Sequence, residues 1–299
     1  MNKLSMSAQK KITIAAFLAI PVTLLLAFHY YPAVKLIYYS FTSWDGLSAE
    51  KELIGFGNYI RIFTESELYT PFFHNGILFI CGLVQLVMAL VFAIMLNTGI
   101  KGRNAYKTIL FMPYVINSVA IAFIFNFFFN TSNGAFNFIL KGIGLKSLAL
   151  DWLGNPGIVN WVLGFMSLWK YMGYMMIIFL AALQSIPQEM LEAGDIDGTN
   201  TFQKLKYLIL PSIKSIVILN LFLNLNGALS AFEFQFIMWP DVRSPLGMAD
   251  TFMTKTINTA FGYSDFGLAS AMGVVLVVIV AVLTIIQNKI VLGEGAGHE

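Results

Sequence analysis

The stretch PQEMLEAGDIDGTNTFQKLKYLILP, residues 187–211, is a polar interruption between long apolar segments. Where it begins and ends decides where the flanking helices stop, so the fold is read outward from it. Ser185 followed by Pro187 and Gln188 suits a helix start, because a proline in the first turn gives up an N–H that has no partner there anyway. Glu189 in that turn is favourable against the helix dipole. Met190, Leu191 and Ala193 supply apolar knobs, and Gly198 ends the helix because glycine turns left-handed without steric cost. Thr199 is expected to cap a second helix through Phe202 and Leu205 toward Leu210, closed by Pro211. A helical hairpin this short is marginal alone in water. Two roles suit it: lying in the groove of a partner protein, or resting on the membrane surface as an amphipathic connector.

Around this island the chain is 58% hydrophobic and only 11% charged, with a mean hydropathy of +0.74 and 27 phenylalanines. A water-soluble fold of that composition has too little polar surface to cover itself, so membrane lipid is its solvent. A bilayer core about 30 Å thick is crossed by roughly 20 apolar residues of helix, each rising about 1.5 Å. Six segments meet that demand: residues 12–34, 76–97, 106–130, 158–183, 212–234 and 266–290. The expected fold is all-α, a single transmembrane domain over residues 1–299 with its polar connection at 184–211. The first span follows Lys3, Lys10 and Lys11 as a signal sequence would, but no small-residue cleavage site precedes His29-Tyr30-Tyr31-Pro32, so it reads as a retained anchor.

An even number of spans puts both termini on one side, and Lys and Arg choose which. With the termini cytoplasmic, the short inner segments hold Lys3, Lys10, Lys11, Lys101, Arg103, Lys107, Lys204, Lys206, Lys214 and Lys289. The longer outer loops hold fewer: Lys35, Lys51, Arg61, Lys141, Lys146, Arg243 and Lys255. That excess favours a cytoplasmic 187–211 loop. The outer loops are 40–75, with Trp44-Asp45-Gly46 and an amphipathic Gly55-Phe56-Gly57-Asn58-Tyr59 stretch; 131–157; and 235–265, with Pro240, Asp241, Pro245 and Asp250. They offer area for something to dock outside. A net charge of +2 with no clustered basic face gives no reason to expect nucleic acid. Cys81 stands alone inside an apolar helix and reads as packing, and His29, His74 and His298 lack metal-ligand spacing. No G-x-x-x-x-G-K-[ST] occurs, so if ATP powers the protein another subunit binds it.

The order of motifs resembles a known family. Glu192-Ala193-Gly194, Gly198 and Leu208-Ile209-Leu210-Pro211 resemble the EAA loop of ABC importer permeases, and Leu180–Pro187 leading into it is similar to the maltose-transporter type of sugar permease. Tyr31-Pro32 with Ser40-Phe41, Gly55 with Asn58-Tyr59, Pro113, and Gly134, Asn137, Leu140 and Gly142 extend the resemblance over nearly the whole chain. The departures are Gly194 where the family usually has Ala, Leu208 where it often has Ile, and Thr199 where Ala is frequent; a glycine there weakens the helix by about 1 kcal/mol. The resemblance implies a type I ABC importer transmembrane domain in a bacterial cytoplasmic membrane. It further implies a second homologous permease, two copies of an ATPase that bind ATP and Mg, a periplasmic or extracellular sugar-binding protein, and a carbohydrate substrate. By position the coupling role falls on Glu192, Ala193 and Gly198, on contact grounds it extends to Met190 and Leu191, and Gly194 and Asp197 are counted with the same set.

A path for such a substrate needs polar and aromatic side chains at membrane depth. The span before the loop offers Ser167, Trp169, Lys170, Tyr171 and Tyr174, and the span after it offers Asn220, Asn224 and Asn226. Asn220 and Asn224 share a helix face, where amides can meet sugar hydroxyls or bond to a neighbouring helix, and tyrosine rings can stack on a pyranose. Gln85, Asn117 and Asn126 are lesser candidates. Lys170 in mid-span either meets an anionic sugar or pairs with Glu233 or a partner carboxylate. The span centres carry no acid of the kind that marks an ion-coupled transporter, and no converging catalytic groups mark an enzyme.

Overall fold

The computed structural model describes residues 6–98, 100–239 and 247–292. Lys3, Pro240, Asp241, Arg243, Pro245 and His298, which entered the reading above, lie outside the described residues. The chain divides into two compact units, one of residues up to Thr64 together with Thr256–Val275, the other of Glu65–Lys255 and the residues from Leu276 onward. Apart from an isolated bridge between Thr42 and Leu53, the described regular structure is helical. Among the described residues five helices are long and apolar enough to cross a bilayer, and a bent pair makes a sixth if it counts as one span.

In the first unit, α1 (Met6–Leu25), a π turn (Leu26–Tyr30) and α2 (Tyr31–Tyr39) form one long apolar helical run. The π turn has a cause: Pro32 has no N–H, and its ring would crowd the carbonyl four residues earlier. Widening the preceding turn, so that Tyr31 N–H bonds to Leu26 O, relieves this. After α2 the chain folds over itself. Asn58, at the start of α3 (Gly57–Thr64), donates to Ser40 O at 3.0 Å and Thr42 O at 2.9 Å, and the Tyr59 hydroxyl shares a 2.7 Å bond with Ser40 Oγ. Arg61 pairs with Asp265 at 3.0 Å.

The 44–48 turn is held by Asp45. Its Oδ1 accepts from Ser48 N–H, Leu47 N–H and Ser48 Oγ at 2.8, 2.9 and 2.7 Å, and these bonds hold the carboxyl down at about 2. A depressed carboxyl stabilises fully above its unfolded value of about 3.9, and that contribution is lost only as pH falls toward the folded value. Trp44 Nε1 donates to Ser48 O at 3.0 Å and so reports on the turn. Its emission, taken as wild type minus Trp44→Phe, is expected to hold constant from about pH 7 to about pH 5 and to shift to the red only below about pH 4. A shift in the upper window would contradict this assignment.

In the second unit, α4 (Ser66–Asn97) lies along α8 (Val159–Gln184) and α12 (Lys214–Leu229), and α5 (Arg103–Val115) lies along α8. Small residues permit the close approach. A methyl at Gly164 would fall 2.4 Å from Cys81 Sγ, and one at Gly173 would fall 1.9 Å from the Leu110 carbonyl oxygen. One core cluster gathers Ile121, Phe125, Leu163 and Met166; another gathers Ala89, Met176, Phe179 and Ile213. From Leu276 on, α15 (Phe266–Leu292) belongs to this unit, and Gln287 donates to Ile218 O at 3.0 Å.

The 106–130 stretch is two helices, α5 and α6 (Ser118–Phe128), meeting at 96°. Ile116 and Asn117 between them are extended, and the Asn117 side chain caps α6 by accepting from Val119 N–H. The 131–157 segment contains α7 (Ala135–Gly142). Beyond α8 the chain continues through α9 (Gln188–Ile196), α10 (Thr201–Lys204), a π turn (Leu205–Ile209), α11 (Leu210–Ser212) and α12, then α13 (Glu233–Met238) and α14 (Phe252–Ile257). Asn75 on α4 ties these last parts together, donating to Ala228 O and accepting from Phe252 N–H.

Candidate functional site

Two features stand out in the second unit, the hairpin between α8 and α12 and a cavity lined by both helices. In the hairpin, Pro187 occupies the N-cap of α9, and Gln188 Nε2 donates to Glu192 Oε1 at 2.7 Å. Gly198 follows with φ of +74°, the left-handed conformation its type was expected to supply. The cap of α10 is Asn200, not Thr199. Asn200 and Gln203 form a reciprocal capping box, whereas the Thr199 hydroxyl donates back to Gly194 O at 2.6 Å. Lys204 pairs with Asp195 across the hairpin. Nor does Pro211 close the second helix. The Leu205–Ile209 π turn accommodates it, as the Leu26–Tyr30 turn accommodates Pro32, and the break falls at Ile213.

Glu192, Ala193, Asp197 and Gly198 are exposed on this hairpin, as is Met190; Leu191 is half-buried and Gly194 is buried. Gly194 is buried for a reason visible in its neighbours. A methyl there would fall 2.7 Å from Leu208 Cδ1, so Leu208 fills the volume an alanine would take. Two apolar side chains that were not among the expected coupling residues project furthest into solvent, Ile196 at 86% exposure and Phe202 at 70%. The signal was present: a β-branched residue at a helix C-terminus and a phenylalanine opening a polar helix.

The cavity has a volume of about 350 Å³ and lies among α4, α5, α8, α12 and the 230–235 segment. Ser167, Tyr171, Tyr174 and Asn224 line it; Lys170 and Asn220 do not. Ser167, Tyr171 and Tyr174 follow helical spacing on one face of α8, and Lys170 stands at the edge of that face, on the side away from Tyr171. Tyr174 stacks on Tyr114 with ring centroids 4.6 Å apart and planes at 14°. Gln85, also in the wall, donates to Met175 Sδ. Asn224 fits because α4 has a glycine opposite: a methyl at Gly82 would fall 1.8 Å from its Oδ1. Its buried Nδ2 has no hydrogen-bond partner among the described residues. Asn220 is fully buried and donates to Ile216 O at 3.0 Å within its own helix, and its Oδ1 has no hydrogen-bond partner among the described residues. Asn226 likewise bonds its own helix, at Phe222 O, and Trp169 packs against the apolar core.

Lys170 opens onto a neighbouring groove of about 420 Å³ that shares Phe232 and Glu233 with the cavity. Its ammonium donates to Ser118 Oγ, which donates to Glu233 Oε2 at 2.6 Å; Lys170 Nζ itself lies 3.4 Å from the same oxygen. The bend at 116–117 is what brings Ser118, at the start of α6, to this pair. Tyr114, Glu233 and Gln235, all in the cavity wall, were not among the residues expected to bind substrate.

The family described as "Binding-protein-dependent transport system inner membrane component" matches residues 85–291. The arabinooligosaccharides transport system permease protein AraP of Halalkalibacterium halodurans is 33% identical over 86% of this chain and 81% of its own. A probable ABC transporter permease, YurN of Bacillus subtilis, is 29% identical over 94% and 96%, and the trehalose/maltose transport system permease protein MalF of Thermococcus litoralis is 29% identical over 81% and 80%. In three dimensions the fold matches a chain of a bacterial ABC transporter involved in alginate import, with a TM-score of 0.83, 23% identity, and coverage of 95% of this chain and 96% of the other.

Proposed function

The chain belongs to the binding-protein-dependent transport system inner membrane components, and from that premise we propose that it is one of two permease subunits forming an ATP-driven import path for saccharides, oligosaccharides foremost. As such a component it is a multi-pass membrane permease and not an enzyme, and membership implies a separate ATPase and a binding protein as partners. The finer reading is that a second, homologous permease completes the path. Two ATPase copies binding ATP and Mg grip the hairpin from the cytoplasm, where both termini also lie, in a bacterial cytoplasmic membrane. A binding protein delivers sugar from the other side.

One observation carries this reading. The helices entering and leaving the hairpin, α8 and α12, both line the cavity, with Ser167, Tyr171 and Tyr174 on one and Asn224 on the other. A displacement of the hairpin therefore reaches the cavity wall through two rigid rods, as a path opening alternately to each side requires. Exposed Ile196, Phe202 and Met190 give the hairpin an apolar surface for a partner's groove. In the cavity, stacked tyrosines offer flat faces to a sugar ring and amides offer donors to its hydroxyls. Lys170 is not among the substrate contacts in this reading, since its charge is held by Glu233.

The test is purification of the chain with its native partners, followed by uptake of labelled arabino- and malto-oligosaccharides into ATP-loaded proteoliposomes. Co-purification of an ATPase and saturable, ATP-dependent uptake are expected. Arrival without an ATPase, or uptake driven by an ion gradient, would sink the reading.

Asn224 supplies a sharper check. Asn224→Leu keeps the branched outline of the side chain and removes a buried amide nitrogen that lacks a partner among the described residues, so the chain gains about 1 kcal/mol in stability. If the amide bonds substrate, half-saturation of uptake rises by roughly three- to tenfold in the same variant. A more stable chain with unchanged half-saturation would assign Asn224 to packing alone.

A further inference from the structure

We propose that Glu233 is a charge filter in the cavity wall, admitting uncharged saccharides and rejecting those that carry uronate groups; this inference rests on the saccharide reading above. Among the described residues that line the cavity, Glu233 is the only charged one. Its carboxylate is divided in use. Oε2 accepts from Ser118 Oγ and faces the Lys170 ammonium, while Oε1 takes no hydrogen bond among the described residues. The side chain is 48% exposed and stands in both the cavity wall and the groove wall.

Lys170 cancels this effect only in part for a ligand in the cavity. Its side chain is only 8% exposed and it lines the groove, not the cavity. Its charge is spent on Glu233, on Ser118, and on the ring faces of Tyr171 and Phe234 at 5.0 and 5.7 Å. What the cavity presents is therefore one free carboxylate oxygen beside the rings of Tyr114, Tyr171 and Tyr174, whose faces are electron-rich. A sugar hydroxyl can donate to Oε1 in a charge-assisted bond. A uronate brought to the same place meets a like charge across a half-exposed wall, where the effective dielectric is below that of water and the repulsion disfavours it.

The test uses the purified complex of this chain with its partner subunits and two probes, a neutral glucose pentasaccharide and a uronic acid pentasaccharide, with affinities read by equilibrium dialysis. The wild-type complex is expected to bind the neutral probe at least tenfold more tightly. Glu233→Gln keeps the shape and leaves the Lys170 ammonium without its counter-charge, so the preference should fall at least tenfold. Lys170→Met leaves the carboxylate uncompensated and should increase the preference, which provides an independent reading if the glutamine variant does not assemble. A preference that neither variant moves, or equal binding of both probes by the wild type, overturns the charge filter while leaving saccharide import standing. Binding of neither probe by a complex that still hydrolyses ATP overturns the saccharide reading, and the filter with it.

Discussion

Gly198→Asp is expected to abolish uptake while the chain stays in the membrane at its normal level and the binding protein is made as before. Gly198 sits at φ of +74°, and among the described residues no atom beyond its chain neighbours lies within 4 Å of where a Cβ would project. A side chain there meets no clash, so the variant folds. The backbone strain is about 1–2 kcal/mol, confined to a turn that is also held by the Thr199 bonds to Gly194 O and the Asn200–Gln203 capping box. The larger effect is electrostatic. A new carboxylate joins Asp195 and Asp197 on the exposed tip, and burying it without a partner in a protein groove costs about 3 kcal/mol or more, roughly a hundredfold in docking. Gly198→Ala separates the two causes, since it carries strain without charge and should lose about thirtyfold at most. Full uptake by the aspartate variant would remove the hairpin from the coupling role. Equal losses in both variants would assign the role to turn geometry alone.

The apolar spans were legible because length and composition alone demand them, and the hairpin was legible because glycine and proline punctuate it. Other features were hidden for physical reasons that differ. The 96° bend at 116–117 lies in a stretch long and apolar enough to read as one span, and its marks, Pro113 and the capping Asn117 before Ser118, pass for isolated polar or kinking residues within such a span. Asn200 competes with Thr199 as a cap on nearly equal terms, and only Gln203, three residues on, decides it. That clue was in the sequence. The pairing of Lys170 with Glu233 was one of the two roles expected for that lysine, but Ser118 between them was not foreseen, because only the bend brings it there. The unequal fates of Asn220 and Asn224 depend on Gly82 across the interface, since both asparagines lie on one helical face. Periodicity names the face and leaves open what stands opposite.

Gly173 illustrates the same point with a large expected effect: Gly173→Leu should leave little folded chain in the membrane, and Gly173→Ala should leave a folded chain with a damaged cavity. A methyl at this position would fall 1.9 Å from Leu110 O and 2.7 Å from Phe111 Cα, both backbone atoms of α5. No rotamer change relieves such a contact, so α5 must move away from α8 until the 1.9 Å approach reaches the 3.4 Å of ordinary contact. Overpacking of this kind costs about 1–3 kcal/mol for a small addition and more for a larger one. The displaced helix carries Tyr114, so the 4.6 Å stack on Tyr174 opens and the cavity loses one wall. The alanine variant is thus expected to melt several degrees lower and to need more saccharide for half-maximal uptake. Gly164 provides the contrast, because the neighbour a methyl meets there is the Cys81 side chain, at 2.4 Å from Sγ and 2.9 Å from Cβ. Gly164→Ala should be rescued in part by Cys81→Gly, whereas no truncation of a neighbouring side chain should rescue Gly173→Ala. Rescue at Gly173 would mean that side chains and not backbones set the spacing of α5 and α8, and the account of the cavity wall would have to change with it.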